Sequence, residues 1–423
     1  MKIEKGFSQK IDENYTLRIA GDSLNNLERI ISFNIAVHKE ESLSRYITRL
    51  FTEHPRKDEI LCLYIEENDS KKIISSITLC PLIWNFGGIL IPICEMGLVG
   101  TLPNFRNRGL MKILNKFYET IMEQKGYILS IIRGIPYYYR RFGYEFVLNL
   151  DERIFLNTEH VPKDKMEHIS IIKAKKEDLD FIKSGYNKEN EKFFIFNEFD
   201  DESFYYKFMN DSFDENFLST YLIKVNGKSI SYFCIGMSYD NSAYTLLVPN
   251  TDEKNMIKIL QFAKNFKNQQ FNKEIQFHVN SQTNFADFLC SLGGKNNLGY
   301  SWQIRIPNFK NFLLSFIPGL ERRIENSIYK ELTQEVLISN YKEIFTLEFV
   351  NGKIDKIQAK RKYPLEENCD VIITGTNIIK MFLSDRNFGE IKYIIRDSSL
   401  KKGSEKLIEI LFPKLPSNPD TYY

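Results

Sequence analysis

The residues best suited to chemistry stand between an apolar run and an amphipathic one: Pro103-Asn104-Phe105-Arg106-Asn107-Arg108-Gly109-Leu110-Met111-Lys112. A bend that leads a strand into a helix leaves successive backbone N–H groups and the positive helix end facing one point, which suits a pyrophosphate. Gly109 lets phosphate approach the backbone, since a side chain there would hold it off. Arg106 and Arg108 supply charge for phosphate oxygens, and the strand before the bend offers backbone hydrogen bonds to an extended ligand arm. The same residues also fit a structural loop capping a helix, so the motif by itself leaves both readings open.

A second constellation, Arg133-Gly134-Ile135-Pro136-Tyr137-Tyr138-Tyr139-Arg140-Arg141-Phe142-Gly143-Tyr144, is rich in tyrosine. Acyl transfer from a thioester to an amine needs a free amine lone pair, a donor for the carbonyl oxygen as it becomes negative, and a proton for the departing thiolate. A tyrosine hydroxyl can be that proton source. Tyr137, Tyr138 and Tyr139 all qualify by type, and each equally fits a packing role with its hydroxyl at the surface.

The elements around these residues must hold them in place. Leu17 to Ala20 reads as a strand, Asp22 and Ser23 offer N-cap chemistry to a helix carrying Leu24, Leu27, Ile30 and Ile31, and a second helix fits 42–51. Apolar runs at 60–66, 73–84 and 89–102 read as strands, the last ending at Pro103. After the bend, Leu110, Ile113, Leu114, Phe117, Ile121 and Met122 repeat at helical spacing, and Gly126 caps the helix before a strand at 127–132. A weaker echo of this order starts near residue 165, with an Asn226-Gly227 hairpin turn and a strand ending at Pro249-Asn250. There the helix start, Thr251-Asp252-Glu253-Lys254-Asn255, has neither arginine nor glycine, so the second copy reads as non-catalytic. Beyond about residue 308 a third unit begins, with an Asn351-Gly352 hairpin, a strand at 371–373, helices near 377–383 and 405–411, and a proline-punctuated tail from Phe412 to Tyr423.

Composition sets outer bounds. At 423 residues, and roughly 150 per domain, the chain suggests about three domains. A formal charge of +2 gives no global field to gather nucleic acid, and no apolar run is long enough to span a bilayer. The N-terminus lacks the apolar stretch of a secretory signal, so a cytoplasmic address is expected. Six cysteines without CxxC spacing read as buried free thiols, and five histidines without metal spacing argue against a metal cofactor.

Pro103 to Leu110 and Tyr139-Arg140-Arg141-Phe142-Gly143-Tyr144 resemble the GNAT acetyltransferases, and more narrowly their three-domain Eis-like (enhanced intracellular survival) branch. The resemblance implies an α/β (α+β) chain: a catalytic GNAT domain at 1–155, a degenerate GNAT-like domain at 156–307, and a sterol-carrier-protein-like domain at 308–423. It implies acetyl-CoA as co-substrate, held by Leu98, Val99, Gly100 and Thr101 along the thioester arm and by Arg106, Asn107, Arg108, Gly109, Leu110, Met111 and Lys112 at the pyrophosphate, with Gly134 nearby. The general acid falls on Tyr139, and the carboxylate of Tyr423 is threaded into the active site to help position or deprotonate the amine. Phe33 is placed at the acceptor. Asn107 stands where members often carry a third arginine, and Ser32-Phe33-Asn34-Ile35 is apolar where acceptor-pocket carboxylates occur, so the resemblance does not extend to aminoglycosides as substrates. The implied acceptor is a primary amine of a small molecule or a protein lysine, and the implied assembly a homo-oligomer, hexamer or trimer. The rival from another class is a binding protein that keeps the scaffold without the catalysis.

Overall fold

The structure is a computed structural model that describes residues 3–150, 152–164, 168–209, 218–237, 243–266, 273–297, 299–360 and 368–419. It is a mixed α/β chain dividing into two compact units, one built from Met1–Leu148 with Trp302–Leu415 and the other from Asn149–Ser301 with the segment that begins at Pro416.

The first unit opens with β1 (Ser8–Lys10), β2 (Tyr15–Ile19), α1 (Leu24–His38), α2 (Leu43–Thr52), β3 (Leu61–Glu67), β4 (Ile73–Phe86), β5 (Ile89–Thr101), α3 (Leu110–Lys125), β6 (Leu129–Ile132) and β7 (Glu145–Leu150). Ser23 starts α1 as expected, its hydroxyl accepting from the Asn26 amide at 3.3 Å. β4 is buried along nearly all its length and joins β5 through Gly87 and Gly88, both at positive φ, so the hairpin runs two residues past the expected end at 84. Leu110, Leu114, Tyr118, Ile121 and Met122 form the buried stripe of α3, and Gly126 ends that helix at φ 75°, its amide returning to the Glu123 carbonyl.

The chain continues with β8 (Arg153–Asn157), β9 (Ile169–Lys173), α4 (Leu179–Asn190), β10 (Ile195–Asn197), α5 (Asp201–Phe208), β11 (Ser219–Val225), β12 (Lys228–Met237), β13 (Tyr244–Leu247), α6 (Glu253–Lys264), β14 (Glu274–His278), α7 (Asn284–Ser291), β15 (Lys295–Asn297) and β16 (Tyr300–Arg305). Asn226 and Gly227, both at positive φ, form the expected hairpin turn between β11 and β12. The final stretch holds α8 (Phe309–Ser315), α9 (Ile317–Glu325), β17 (Gln334–Ser339), β18 (Ile344–Val350), β19 (Lys353–Lys360), β20 (Val371–Ile372), α10 (Ile378–Phe382), α11 (Phe388–Ile394), β21 (Ser399–Leu400), α12 (Glu405–Leu411) and β22 (Ser417–Asn418).

Strand order reveals a feature that no local pattern announced. The first sheet runs β1-β2-β3-β4-β5-β6-β16-β7, so a strand from near residue 303 is inserted between β6 and β7. The sheet of the second unit runs β15-β8-β14-β13-β12-β11-β9, with β8 inserted in the corresponding place. Each sheet thus takes one strand from the stretch that follows the other's last strand. A third sheet, β19-β18-β17-β20-β21, belongs to the first unit, where Phe312, Phe345, Phe382 and Phe412 make its core and Phe86 meets Phe312 at 6.2 Å.

All six cysteines are free. Five are buried, whereas Cys290 is exposed in the last turn of α7, a correction to the expectation of uniform burial: apolar neighbours in sequence do not decide which way a helical side chain faces. Among the described residues, no helix is long and apolar enough to cross a membrane and no group of three or more metal-type side chains is gathered.

Candidate active site

β5 and β6 pair in parallel only from Ile93 with Leu129 to Glu95 with Ile131. Beyond Glu95, β5 stays paired on its other side to β4, but with an irregularity: Gly97 faces Thr78 and Gly100 faces Ser76, so Leu98 and Val99 together oppose Ile77. Leu98 sits at φ 47°, and the Ser76 hydroxyl donates to its carbonyl at 3.1 Å. This bulge turns β5 away from β6 and opens a wedge between two parallel strands. Gly100 lets α1 approach that strand, since a Cβ there would lie 2.6 Å from a Val37 methyl.

The root of the wedge is fixed by a buried polar chain. Ser130 on β6 lies 3.0 Å from the Tyr118 hydroxyl and 2.8 Å from that of Tyr144, and Tyr118 in turn lies 3.2 Å from the Cys94 sulfur. Burial raises the Cys94 thiol to about 12, against the hydrogen bonds from Tyr118 and Ser130. It is therefore a structural thiol rather than a nucleophile.

The wedge leads to a cavity of about 1140 Å³. Val99, Gly100 and Thr101 line it from β5, and Arg106, Asn107, Arg108, Gly109, Leu110, Met111 and Lys112 from the bend and the start of α3. Tyr139 lines it from the loop after β6. These are sequence-expected residues that the fold brings together. Leu98 and Gly134 support the cavity without lining it, and Phe33 is buried in the core of the first unit, while Val37 and His38, one turn further along α1, reach the cavity instead. Tyr423 lies outside the described residues. The sequence reading did not single out Val37, His38, Asn115, Lys116, Glu119 or Arg305, and it gave Arg141 no role beyond its place in the Tyr139–Tyr144 motif. For the residues on α3 a signal existed, because they follow Met111 and Lys112 at helical spacing along the face flanking the apolar stripe.

The bend presents unmet backbone donors beside positive charge. Asn107 and Gly109 have φ of 62° and 77°, a Cβ on Gly109 would find no atom within 4 Å, and α3 has no acidic residue in its first turn. Among the described residues no acceptor meets the amides of Asn107, Arg108, Gly109, Leu110 or Met111, so these donors face open space at a positive helix end. Arg108 is braced by the Tyr15 hydroxyl at 2.9 Å, the Asn104 carbonyl at 3.0 Å and the Phe105 ring, and Arg106 donates to the Thr101 carbonyl at 3.3 Å. Lys112, Lys116, Arg141 and Arg305 add positive charge; the only carboxylate among the described lining residues is Glu119, which is held by Arg305 at 2.6 Å and by Asn115. Free amides, clustered cations and an unfilled space together fit a pyrophosphate and a further phosphate.

Tyr139 begins a short 3-10 turn, Tyr139–Phe142, and its residue surface is 6% exposed. Its ring packs edge-on to Tyr138 at 5.1 Å and Tyr144 at 5.9 Å. It also lies so close to Gly134 that a Cβ there would come within 2.3 Å of it. Among the described residues nothing hydrogen-bonds its hydroxyl, and burial, with Tyr138 nearby, holds the phenol well above its usual pKa. The hydroxyl therefore stays protonated across the neutral range. His38, on the far side, is shifted the other way: burial lowers its imidazole, against the pull of Glu40, and leaves a free lone pair at neutral pH.

With this geometry in view, the likenesses to known proteins have a physical meaning. Residues 25–147 match the family model described as acetyltransferase (GNAT) domain. No curated protein sequence matches the chain. Among solved structures, a probable N-acyltransferase of unknown function from Enterococcus faecalis V583 is similar, with a TM-score of 0.69 at 12% identity over 97% of this chain and 100% of that one. A GCN5-related N-acetyltransferase from Anabaena variabilis ATCC 29413 gives 0.65 at 12% identity, covering 96% and 99%. Eis1 from Mycobacterium abscessus gives 0.61 at 14% identity, covering 95% and 98%. These distant likenesses bear on the fold over nearly the whole chain, while the family match, the wedge and the Arg106–Lys112 bend coincide in one segment: residues 25–147 carry a GNAT acetyltransferase domain, and the protein is an acyltransferase.

Proposed function

We propose that the protein transfers the acetyl group of acetyl-CoA directly to a primary amine of a small molecule or a protein lysine. The observation that carries this reading is the row of amides from Asn107 to Met111 that meet no acceptor among the described residues, ringed by Arg106, Arg108 and Lys112, at the open end of a strand wedge. The diphosphate sits on those amides, the thioester arm lies along Val99 to Thr101, and the reacting carbon comes under Tyr139. Backbone N–H near Val99 meets the carbonyl oxygen as charge grows there. Tyr139, which burial keeps protonated, gives its proton to the departing thiolate and recovers one from solvent.

The amine proton leaves by two routes in this reading: the Tyr423 carboxylate, assigned by the resemblance alone, and the neutral His38 imidazole that lines the cavity. A cavity whose described carboxylate is already engaged disfavours polycationic acceptors. The third sheet and its helices stand in the place of the sterol-carrier-like domain, and the assembly is a cytoplasmic homo-oligomer.

Tyr139→Phe tests the mechanism. Turnover, followed by free-thiol release, falls by about a hundredfold or more while affinity for acetyl-CoA is kept; full turnover in that variant removes Tyr139 from the chemistry. A thermal shift separates the enzyme from a scaffold that has lost its ligand: acetyl-CoA at about a hundred times its dissociation constant adds roughly 2.7 kcal/mol of stability.

A further inference from the structure

The loop that carries Tyr139 has little structure of its own. Arg133, Ile135, Pro136 and Tyr137 are exposed, and Tyr137 is held at φ 67°, a costly conformation for a bulky residue. A loop this exposed needs an outside anchor to keep a proton donor aimed.

That anchor comes from β16. Gln303 is 1% exposed and faces Ile132 in the strand register. Its Nε2 donates to the Gly134 carbonyl at 2.8 Å and to the Ile135 carbonyl at 3.3 Å. Gly134 is the residue on which the Tyr139 ring rests, and a Cβ there would collide with that ring at 2.3 Å and crowd the Gln303 amide at 3.1 Å. Amide, bare backbone and ring form one stack.

We propose that Gln303 is a positioning residue for acyl transfer, fixing the Tyr139 hydroxyl through the Gly134 and Ile135 carbonyls. It lies outside the segment that matches the GNAT family, so the family's own domain is completed by a side chain supplied from elsewhere in the chain. The inference rests on Tyr139 as the proton donor.

The test compares Gln303→Leu, which removes both donors, with Gln303→His, which keeps an N–H at similar reach. Gln303→Leu lowers kcat by about tenfold to a hundredfold with KM for acetyl-CoA within about twofold, and Gln303→His recovers much of the loss. In a Tyr139→Phe background, Gln303→Leu costs less than about twofold further. Gly134→Ala pushes the ring from the other side and gives the same split, should Gln303→Leu fold poorly. Fluorotyrosine incorporation, with the Tyr139 resonance assigned by its loss in Tyr139→Phe, shows that signal shifted or broadened in Gln303→Leu. Wild-type kcat in folded Gln303→Leu, an equal loss in both backgrounds, or an unmoved resonance overturns the proposal. If Tyr139→Phe is fully active while the resonance still moves, the positioning stands and the proton-donor assignment is what fails.

Discussion

β5 and β6 pair in parallel over three positions, β13 and β14 over two, and in each case a proline-bearing bend and a helix follow the first strand. The two places then part. In the first unit, among the described residues, the amides of Asn107 to Met111 meet no acceptor and the helix start carries no acid. In the second, the Asn250 amide already donates to Glu189 at 2.9 Å, and α6 begins with Glu253. The first wedge opens to about 1140 Å³, the second to about 150 Å³. The smaller one is lined by Glu152 and Glu189 and by Asn418 and Pro419 of the chain's own tail, with Asn418 bonded to Asn280 and Asn190. Similar strand order leaves the two places chemically unlike: they differ in unmet donors, in charge and in open space.

The sharpest way to break this contrast is a matched pair of glycines. Gly109 and Gly227 have φ of 77° and 80°, and a Cβ on either meets nothing within 4 Å. Alanine at each costs about 1–2 kcal/mol of stability, seen in denaturant melts. Only Gly109→Ala weakens acetyl-CoA, by about tenfold or more in calorimetry; equal affinities would mean that the bend is merely a turn. Next in size, Arg106→Ala and Arg108→Ala each raise the dissociation constant for CoA by about tenfold, as expected for a charge-assisted hydrogen bond, with Arg108 also loosening the bend it braces.

A smaller effect concerns the second wedge. Asn418→Ala removes two hydrogen bonds and costs about 1 kcal/mol, a melting shift of a few degrees. Titration calorimetry still gives one acetyl-CoA per chain, and a second saturable site would erase the distinction between the two regions. The smallest effect is that of pH on His38. Its folded pKa lies below the unfolded 6.5, so the folded state binds fewer protons there. Its stability contribution is whole above pH 6.5 and declines as pH falls through the lowered value. Denaturation at pH 8 and at pH 5.5 detects this slope, and His38→Asn flattens it.

Much of this molecule was legible one neighbourhood at a time. Ser23 capping α1, Gly126 ending α3, the Asn226-Gly227 and Asn351-Gly352 turns, and the bend from Arg106 to Lys112 follow from rules that act within a few residues, where backbone sterics and local hydrogen bonds decide. The acceptor side was less legible: Phe33 and Val37 lie on one helix, and which of them reaches a cavity depends on what packs against α1, with Gly100 deciding for Val37.

The sequence by itself determined the bend from Arg106 to Lys112 and the helices and hairpins around it, because each is a contest between a few adjacent torsions and donors. Only the tertiary structure decided that β16 completes the first sheet and β8 the second, and that Gln303 lies under a loop 169 residues earlier in the chain. A strand's partner is chosen by which edge remains open once everything else has packed, and no spacing of residues along the chain records that.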